Sequence, residues 1–332
     1  MERSKRGVKL ISSGSATAPQ VLHNDDLSKI MDTSDEWIAT RTGIRKRHVA
    51  NNISLSELAS QAGIKAIANA RLTPLDIDLI ILATSTPDDL FGSASKVQDL
   101  IGANNAVAFD LTAACSGFVF ALITASQFIR NGVYQNVLII GADCLSRWVD
   151  WSDRTTCVLF GDGAGAIVCQ GSETEDNLLG FEMCSNGQLN SHLNLAYQGE
   201  IRNISENKQV NQGKFSYVTM NGREVYRFAV TKVPEVIEKA LYRANLTVDQ
   251  IDWLILHQAN QRIMDAVAEK LNISREKIVS NVSEYGNTSA ASIPLALAEV
   301  VTQGKINNGD IIVTAGFGAG LTWGSAIVRW GK

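Results

Sequence analysis

The chain repeats itself. Lys65–Ser85 reads KAIANARLTPLDIDLIILATS and Lys239–Ala259 reads KALYRANLTVDQIDWLILHQA. One lies on the other, without a gap, at a displacement of 174 residues, with 9 of 21 positions identical. The same displacement lays NVLIIGAD (136–143) over DIIVTAGF (310–317), and Cys115 over Ser289. A constant offset across separated segments marks a duplicated unit. A chain of 332 residues is long enough for two such halves, which divide here as 1–174 and 175–332.

Each half has the same order of elements. The apolar spacing predicts a helix over about 55–71 and again over 224–245. A buried strand follows at 78–83 and at 252–257, and a second at 106–110 and 278–282. A long apolar helix then starts near Cys115 or Thr288, and strands close each unit at 136–142 and 310–315. Continuous β-branched runs alternating with helices predict α/β layers. The fold class expected is α/β with two similar halves about a pseudo-twofold axis.

Composition removes several function classes. The formal net charge is −4, without long like-charge runs, so neither a nucleic-acid surface nor a polybasic membrane surface is expected. No apolar run reaches the length of a signal peptide core or a membrane span, and the chain reads as cytoplasmic. The five cysteines form no C-x-x-C pair and the four histidines are scattered, which argues against a metal site or a disulfide framework. Two glycine clusters, GDGAGA (161–166) and GFGAG (316–320), precede strand-like sequence rather than a helix. A dinucleotide site needs the helix, so turns where two backbones approach closely are the better account.

Cys115 stands at a predicted strand-to-helix junction among small residues (Ala113, Ala114, Ser116, Gly117). A helix start there would offer unpaired N–H groups and lower the thiol pKa. A buried structural cysteine is the other reading. His257 follows the apolar strand IDWLIL, at the strand end where sites on α/β sheets collect, and its counterpart in the first half is Ala83. Asn287, in YGNTS, is either a helix-capping residue or a third member of a site. If the two junctions face each other across one cleft, thiol, imidazole and amide together suit acyl transfer through a thioester.

Six ordered segments carry a resemblance that spans essentially the whole chain: TSDEWIATRTGIRKRH (33–48), AACSGF (113–118), FGDGAGA (160–166), LHQANQRI (256–263), GNTSAAS (286–292) and GFGAGLTWGSA (316–326). Together they resemble the β-ketoacyl-acyl carrier protein synthase III family of thiolase-fold condensing enzymes. The resemblance implies a layered αβαβα architecture and a catalytic triad of Cys115, His257 and Asn287. The backbone N–H groups of Cys115 and Ala319 would form an oxyanion hole. It further implies that Trp37, Arg41 and Arg154 hold coenzyme A, and that Gln258, Ala259, Asn260, Gln261 and Arg262 meet an acyl carrier protein. Arg223, Arg227 and Lys270 would extend a basic patch there, a solvated helix face being the alternative for these three. Phe91 would cap the primer pocket of a partner subunit, so a homodimer is expected. No cofactor is implied, because acetyl-CoA and malonyl-acyl carrier protein are substrates. For His257 a neutral, buried ring is expected rather than one with an acidic partner.

The implied activity is condensation of acetyl-CoA with malonyl-acyl carrier protein, which starts fatty acid synthesis. Two departures bear on the primer pocket: Ala319 stands in a loop that is all glycine in the relative compared, and the segment before Phe91, TSTPDDL, is polar. The alternatives are a starter condensing enzyme of secondary metabolism with a different acyl-CoA primer, and a non-catalytic paralogue that only binds acyl carrier protein.

Overall fold

The computed structural model describes residues 6–331. In chain order its principal elements are β1 (Gly7–Thr17), α1 (Asp35–Thr42), α2 (Leu55–Ala70), β2 (Leu79–Ala83), α3 (Ala94–Ile101), β3 (Val107–Leu111), α4 (Gly117–Arg130), β4 (Asn136–Cys144) and β5 (Asp162–Ser172). They continue with β6 (Leu178–Ser185), β7 (Tyr197–Ser205), β8 (Lys208–Phe215), α5 (Gly222–Ala244), β9 (Trp253–Leu256), α6 (Gln261–Lys270), α7 (Ser292–Thr302), β10 (Ile311–Gly318) and β11 (Thr322–Arg329).

Two sheets result. The first runs β1-β5-β4-β2-β3 and the second β6-β11-β10-β9. In both, the strands toward one edge pair in parallel (β4, β2 and β3; β10 and β9) and those toward the other edge antiparallel. The strand expected at 278–282 is reduced to a single bridge between Leu254 and Ile278, at the place β3 occupies in the first sheet. The chain turns at Asn281 into a short helix, Val282–Tyr285, which ends the pairing.

Helices α4 and α7 lie between the sheets, in one core with residues of both. α2 and α3 cover the outer face of the first sheet, and α5 and α6 that of the second. The layering is therefore αβαβα, as expected. Among the described residues no helix is long and apolar enough to cross a membrane. The β7–β8 hairpin is exposed along its whole length.

The repeat extends to individual turns. α2 ends on Arg71 and α5 on Asn245, both left-handed at φ 61° and 54°. Each is followed by a 3-10 turn with a capping box, Thr73 with Asp76 and Thr247 with Gln250. At the central junctions the register slips by one. The 3-10 turn Ala114–Ser116 before α4 matches Ser289–Ala291 before α7, each opened by a left-handed residue, Ala114 at φ 47° and Ser289 at φ 51°. The structural counterpart of Cys115 is thus Ala290, not the Ser289 that the sequence displacement selects. One extra residue in the second junction produces the difference.

The glycine clusters are where backbones approach closely, though GDGAGA mostly lies in strand β5 rather than in a turn. A Cβ at Gly165 would stand 2.4 Å from the Leu295 nitrogen of α7, and one at Gly318 would stand 2.6 Å from the Cys115 nitrogen. Both contacts are with backbone and cannot yield by a rotamer change. Gly165→Ala is expected to lower stability by about 2 kcal/mol or more in urea unfolding. Gly187→Ala, where an added methyl meets nothing within 4 Å, should leave the midpoint unchanged.

Candidate active site

The two central turns pack against each other between the sheets. A cavity of about 520 Å³ opens over them and is lined by Cys115, His257, Asn287, Ser289, Phe317 and Ala319. Trp37, Arg41, Arg154, Arg223, Ala259, Asn260 and Arg262 line it too. Residues far apart in sequence, expected from both halves, therefore share one space.

Cys115 sits inside its 3-10 turn, two residues before α4 begins at Gly117. It is buried, and the Ser289 hydroxyl lies 3.3 Å from its sulfur. Burial pushes the thiol up to about 12, against the lowering that the Ser289 bond supplies, and the nearby Asp143 carboxylate adds to the rise. The expectation of a thiol lowered by a helix start is corrected. The α-helix begins beyond the cysteine, and removing the sulfur from water outweighs the N–H groups. At rest Cys115 is a thiol.

His257 follows β9, held by its N–H to the Ala315 carbonyl at 2.8 Å. The ring is buried, and burial lowers its pKa to about 3. Its Nδ1 lies 2.7 Å from the Ser292 hydroxyl, and the Phe317 ring packs edge-on at 5.3 Å. The imidazole is neutral with a hydroxyl partner rather than a carboxylate, as expected. Asn287 is fixed by its N–H to the Leu159 carbonyl and its carbonyl to the Gly161 N–H, at 2.8 and 3.0 Å. Its Oδ1 accepts from the Ser289 N–H at 2.9 Å, which leaves Nδ2 free of that bond and able to donate.

Trp37 is carried by α1, whose N-cap Ser34 accepts from the Trp37 N–H at 3.1 Å. The guanidinium carbons of Arg41 and Arg154 lie 4.5 and 5.2 Å from the indole centroid. This is a cationic, planar rim on the cavity, suited to a base and its phosphates.

The segment 258–262 is less available than expected. Gln258 is buried, donating to the Leu256 and Val279 carbonyls and accepting from the Asn281 N–H. It braces β9 against the 278–281 segment and cannot reach a protein partner, which corrects its expected role. Asn260 caps α6 and donates to the Arg41 carbonyl, while Gln261 is tied to Asp265 and Ser280. Arg262 is exposed, with its guanidinium carbon 5.8 Å from the Tyr226 ring centroid. Arg223, Arg227 and Lys270 are exposed as well. Phe91 lies outside this cavity and is 99% exposed. Among the described residues no group of three or more His, Cys, Asp or Glu side chains could hold a metal ion.

Sequence reasoning gave no site role to Ser289, Ser292 or Asp143. The last is fully buried and accepts from Thr84, Ser85 and Thr86 of one half and from the Ala290 N–H of the other. The repeat held a signal for it: the residue 174 positions on is Phe317. One copy carries a carboxyl group where its twin is apolar, the same asymmetry that singled out His257 against Ala83.

Two family models match the chain, 3-oxoacyl-[acyl-carrier-protein (ACP)] synthase III over residues 109–187 and its C-terminal counterpart over 241–330. The β-ketoacyl-[acyl-carrier-protein] synthase III of Microcystis aeruginosa is 66% identical over 325 residues, 98% of each chain. The chain belongs to the β-ketoacyl-[acyl-carrier-protein] synthase III family. Its fold is that of the solved synthase III from Aquifex aeolicus, 45% identical with a TM-score of 0.90, which covers 98% of this chain and 100% of that one. A priming β-ketosynthase of the R1128 polyketide pathway has a TM-score of 0.91, covering 100% of this chain and 98% of that one, at 30% identity.

In a synthase III, the neutral His257 has a measurable consequence for stability. The unfolded ring takes a proton near pH 6.5, and the folded one only near 3. Stability is therefore complete above 6.5 and falls as the pH drops toward 3, because the unfolded state binds the extra proton. Between pH 7.5 and 5 the wild type should lose about 2 kcal/mol more than His257→Gln in urea unfolding.

Proposed function

We propose that this synthase III starts fatty acid synthesis by condensing acetyl-CoA with malonyl-acyl carrier protein, through an acetyl thioester on Cys115. The observation that carries the reading is the convergence of Cys115, His257 and Asn287 on one cavity whose rim holds Trp37, Arg41 and Arg154. Coenzyme A lies on that rim, its adenine against the indole and its phosphates against the arginines.

In the first half-reaction the Cys115 sulfur attacks the acetyl carbonyl. The C–S bond to coenzyme A breaks, and the thiol proton leaves with the coenzyme A sulfur. The N–H groups of Cys115 and Ala319 stabilise the transient oxyanion. In the second, malonyl-acyl carrier protein loses CO2, and the bonding pair passes to the thioester as an enolate. His257 and Asn287 donate hydrogen bonds to that oxygen, which a neutral imidazole can do. The enolate carbon attacks the acetyl carbonyl, the bond to Cys115 sulfur breaks, and acetoacetyl-acyl carrier protein departs. The thiolate regains its proton from solvent.

The reading brings acyl carrier protein and an acyl-CoA as partners and a cytoplasmic location. Arg262, Arg223, Arg227 and Lys270 supply positive charge to an acidic carrier; Ala259 and Asn260 line the approach. We propose a homodimer in which the exposed Phe91, beside Leu90 at 79% exposure, enters the primer pocket of the second subunit. We also retain the division into halves at 174/175, since one sheet ends with β5 at Ser172 and the other begins with β6 at Leu178. A secondary-metabolism starter enzyme is not favoured, since the curated synthase III of Microcystis aeruginosa is 66% identical and the polyketide priming enzyme 30%. A non-catalytic paralogue would have no use for the intact triad.

Purified protein with labelled acetyl-CoA and malonyl-acyl carrier protein should yield acetoacetyl-acyl carrier protein and CO2; acceptance of longer or branched primers alone would overturn the assignment. Cys115→Ser should abolish the acyl-enzyme, whereas His257→Ala and Asn287→Ala should acylate normally and fail to decarboxylate. Arg262→Ala should weaken carrier-protein binding in titration calorimetry by about 1 kcal/mol, roughly fivefold in Kd. An unchanged constant would remove it from the interface.

A further inference from the structure

Ser292 was assigned nothing by the residue motifs, yet it is 1% exposed and its hydroxyl touches a site residue. Its oxygen lies 2.7 Å from Nδ1 of His257 and accepts the Gln258 N–H at 3.3 Å. A serine hydroxyl has one proton and two lone pairs. The amide of Gln258 can only donate, and its residue is locked by three side-chain bonds, so one lone pair is committed. The hydroxyl proton is then directed at Nδ1, which accepts it only when unprotonated. The reverse arrangement, with Nδ1–H donating, would leave the hydroxyl proton without an acceptor among the bonds of the described residues.

We propose that Ser292 is a positioning residue that fixes His257 as the Nε2–H tautomer, so that the ring offers the cavity a donor without carrying charge. The inference rests on the function proposed above, in which that donor meets the enolate oxygen. A charged ring would donate from both nitrogens whatever its neighbour; a buried neutral ring donates from one, and something must choose which.

The duplication supplies an independent argument. The counterpart of His257 is Ala83, and the structural counterpart of Ser292, at the first residue of its central helix, is Gly117. In the first half these two also face each other: a Cβ at Gly117 would stand 3.4 Å from the Ala83 Cβ. One contact in the fold is thus built twice, once as alanine and glycine and once as histidine and serine. Both members turned polar together, as a pair that works as a unit requires. The same turn sets the second donor, because the Ser289 N–H occupies Asn287 Oδ1 and leaves Nδ2.

The test is 15N NMR of the histidine ring nitrogens at neutral pH, with the His257 signals assigned by their loss in His257→Gln. The wild type should show a single Nε2–H tautomer, Ser292→Ala a shift toward Nδ1–H, and Ser292→Thr a return to Nε2–H. Malonyl-acyl carrier protein decarboxylation should fall about tenfold or more in Ser292→Ala and recover in Ser292→Thr, with acetylation of Cys115 within twofold of wild type throughout. An Nδ1–H ring in the wild type overturns the proposal, and so does Ser292→Ala with tautomer and decarboxylation unchanged. Should Ser292→Ala fail to fold, the wild-type and Ser292→Thr spectra decide. An Nε2–H ring in an enzyme that performs no condensation would refute the proposed function and leave the tautomer assignment standing.

Discussion

One buried carboxylate holds the two copies of the repeat in register at the site. Asp143, near the end of β4, is fully buried, and burial pushes its carboxyl above the usual range. Donors from Thr84, Ser85 and Thr86 meet one oxygen, and the Ala290 N–H from the other half meets the second. A buried acceptor that loses one such donor costs about 1–3 kcal/mol, so the turn that carries Ser289 cannot easily drift from the one that carries Cys115. The Ser289 side chain beside the Cys115 sulfur is itself hydrogen-bonded to this carboxyl, so the same group holds both the turn and the hydroxyl.

The site works by exclusion of water more than by opposed charges. Burial holds Cys115 as a thiol and His257 as a neutral ring, and the cavity floor therefore carries donors rather than cations. The positive groups, Arg41, Arg154, Arg223 and Arg262, stand toward the rim. Charge attracts from outside, and oriented dipoles act within.

Much of this was legible in the chain. The repeat predicted α/β layers, the strand ends and the pairing of junctions, because hydrophobic period and turn residues are local properties; the αβαβα order was what the family resemblance implied. What escaped was one residue wide. The slip at the second junction moved the partner of Cys115 from Ser289 to Ala290, and the strand after Ile278 stopped at one bridge because the chain coils at Asn281. The fate of Gln258 was equally hidden, since a polar residue in a polar segment gives no sign of which carbonyls it braces. Ser292 and Asp143 could have been found by asking, at each matched pair, which copy is polar.

The left-handed openings at Ala114 and Ser289 show that both junctions kept the backbone of a site, and the side chains on it have diverged completely. A symmetric ancestor assembled from two identical units would have carried two equivalent clefts on opposite sides of its axis. Here one junction holds the sulfur and the other the groups that face it. The cavity over the paired junctions is consequently lined by unlike residues on its two sides. Neither half can be improved, lost or exchanged without its twin, and duplication, which began as redundancy, has become dependence.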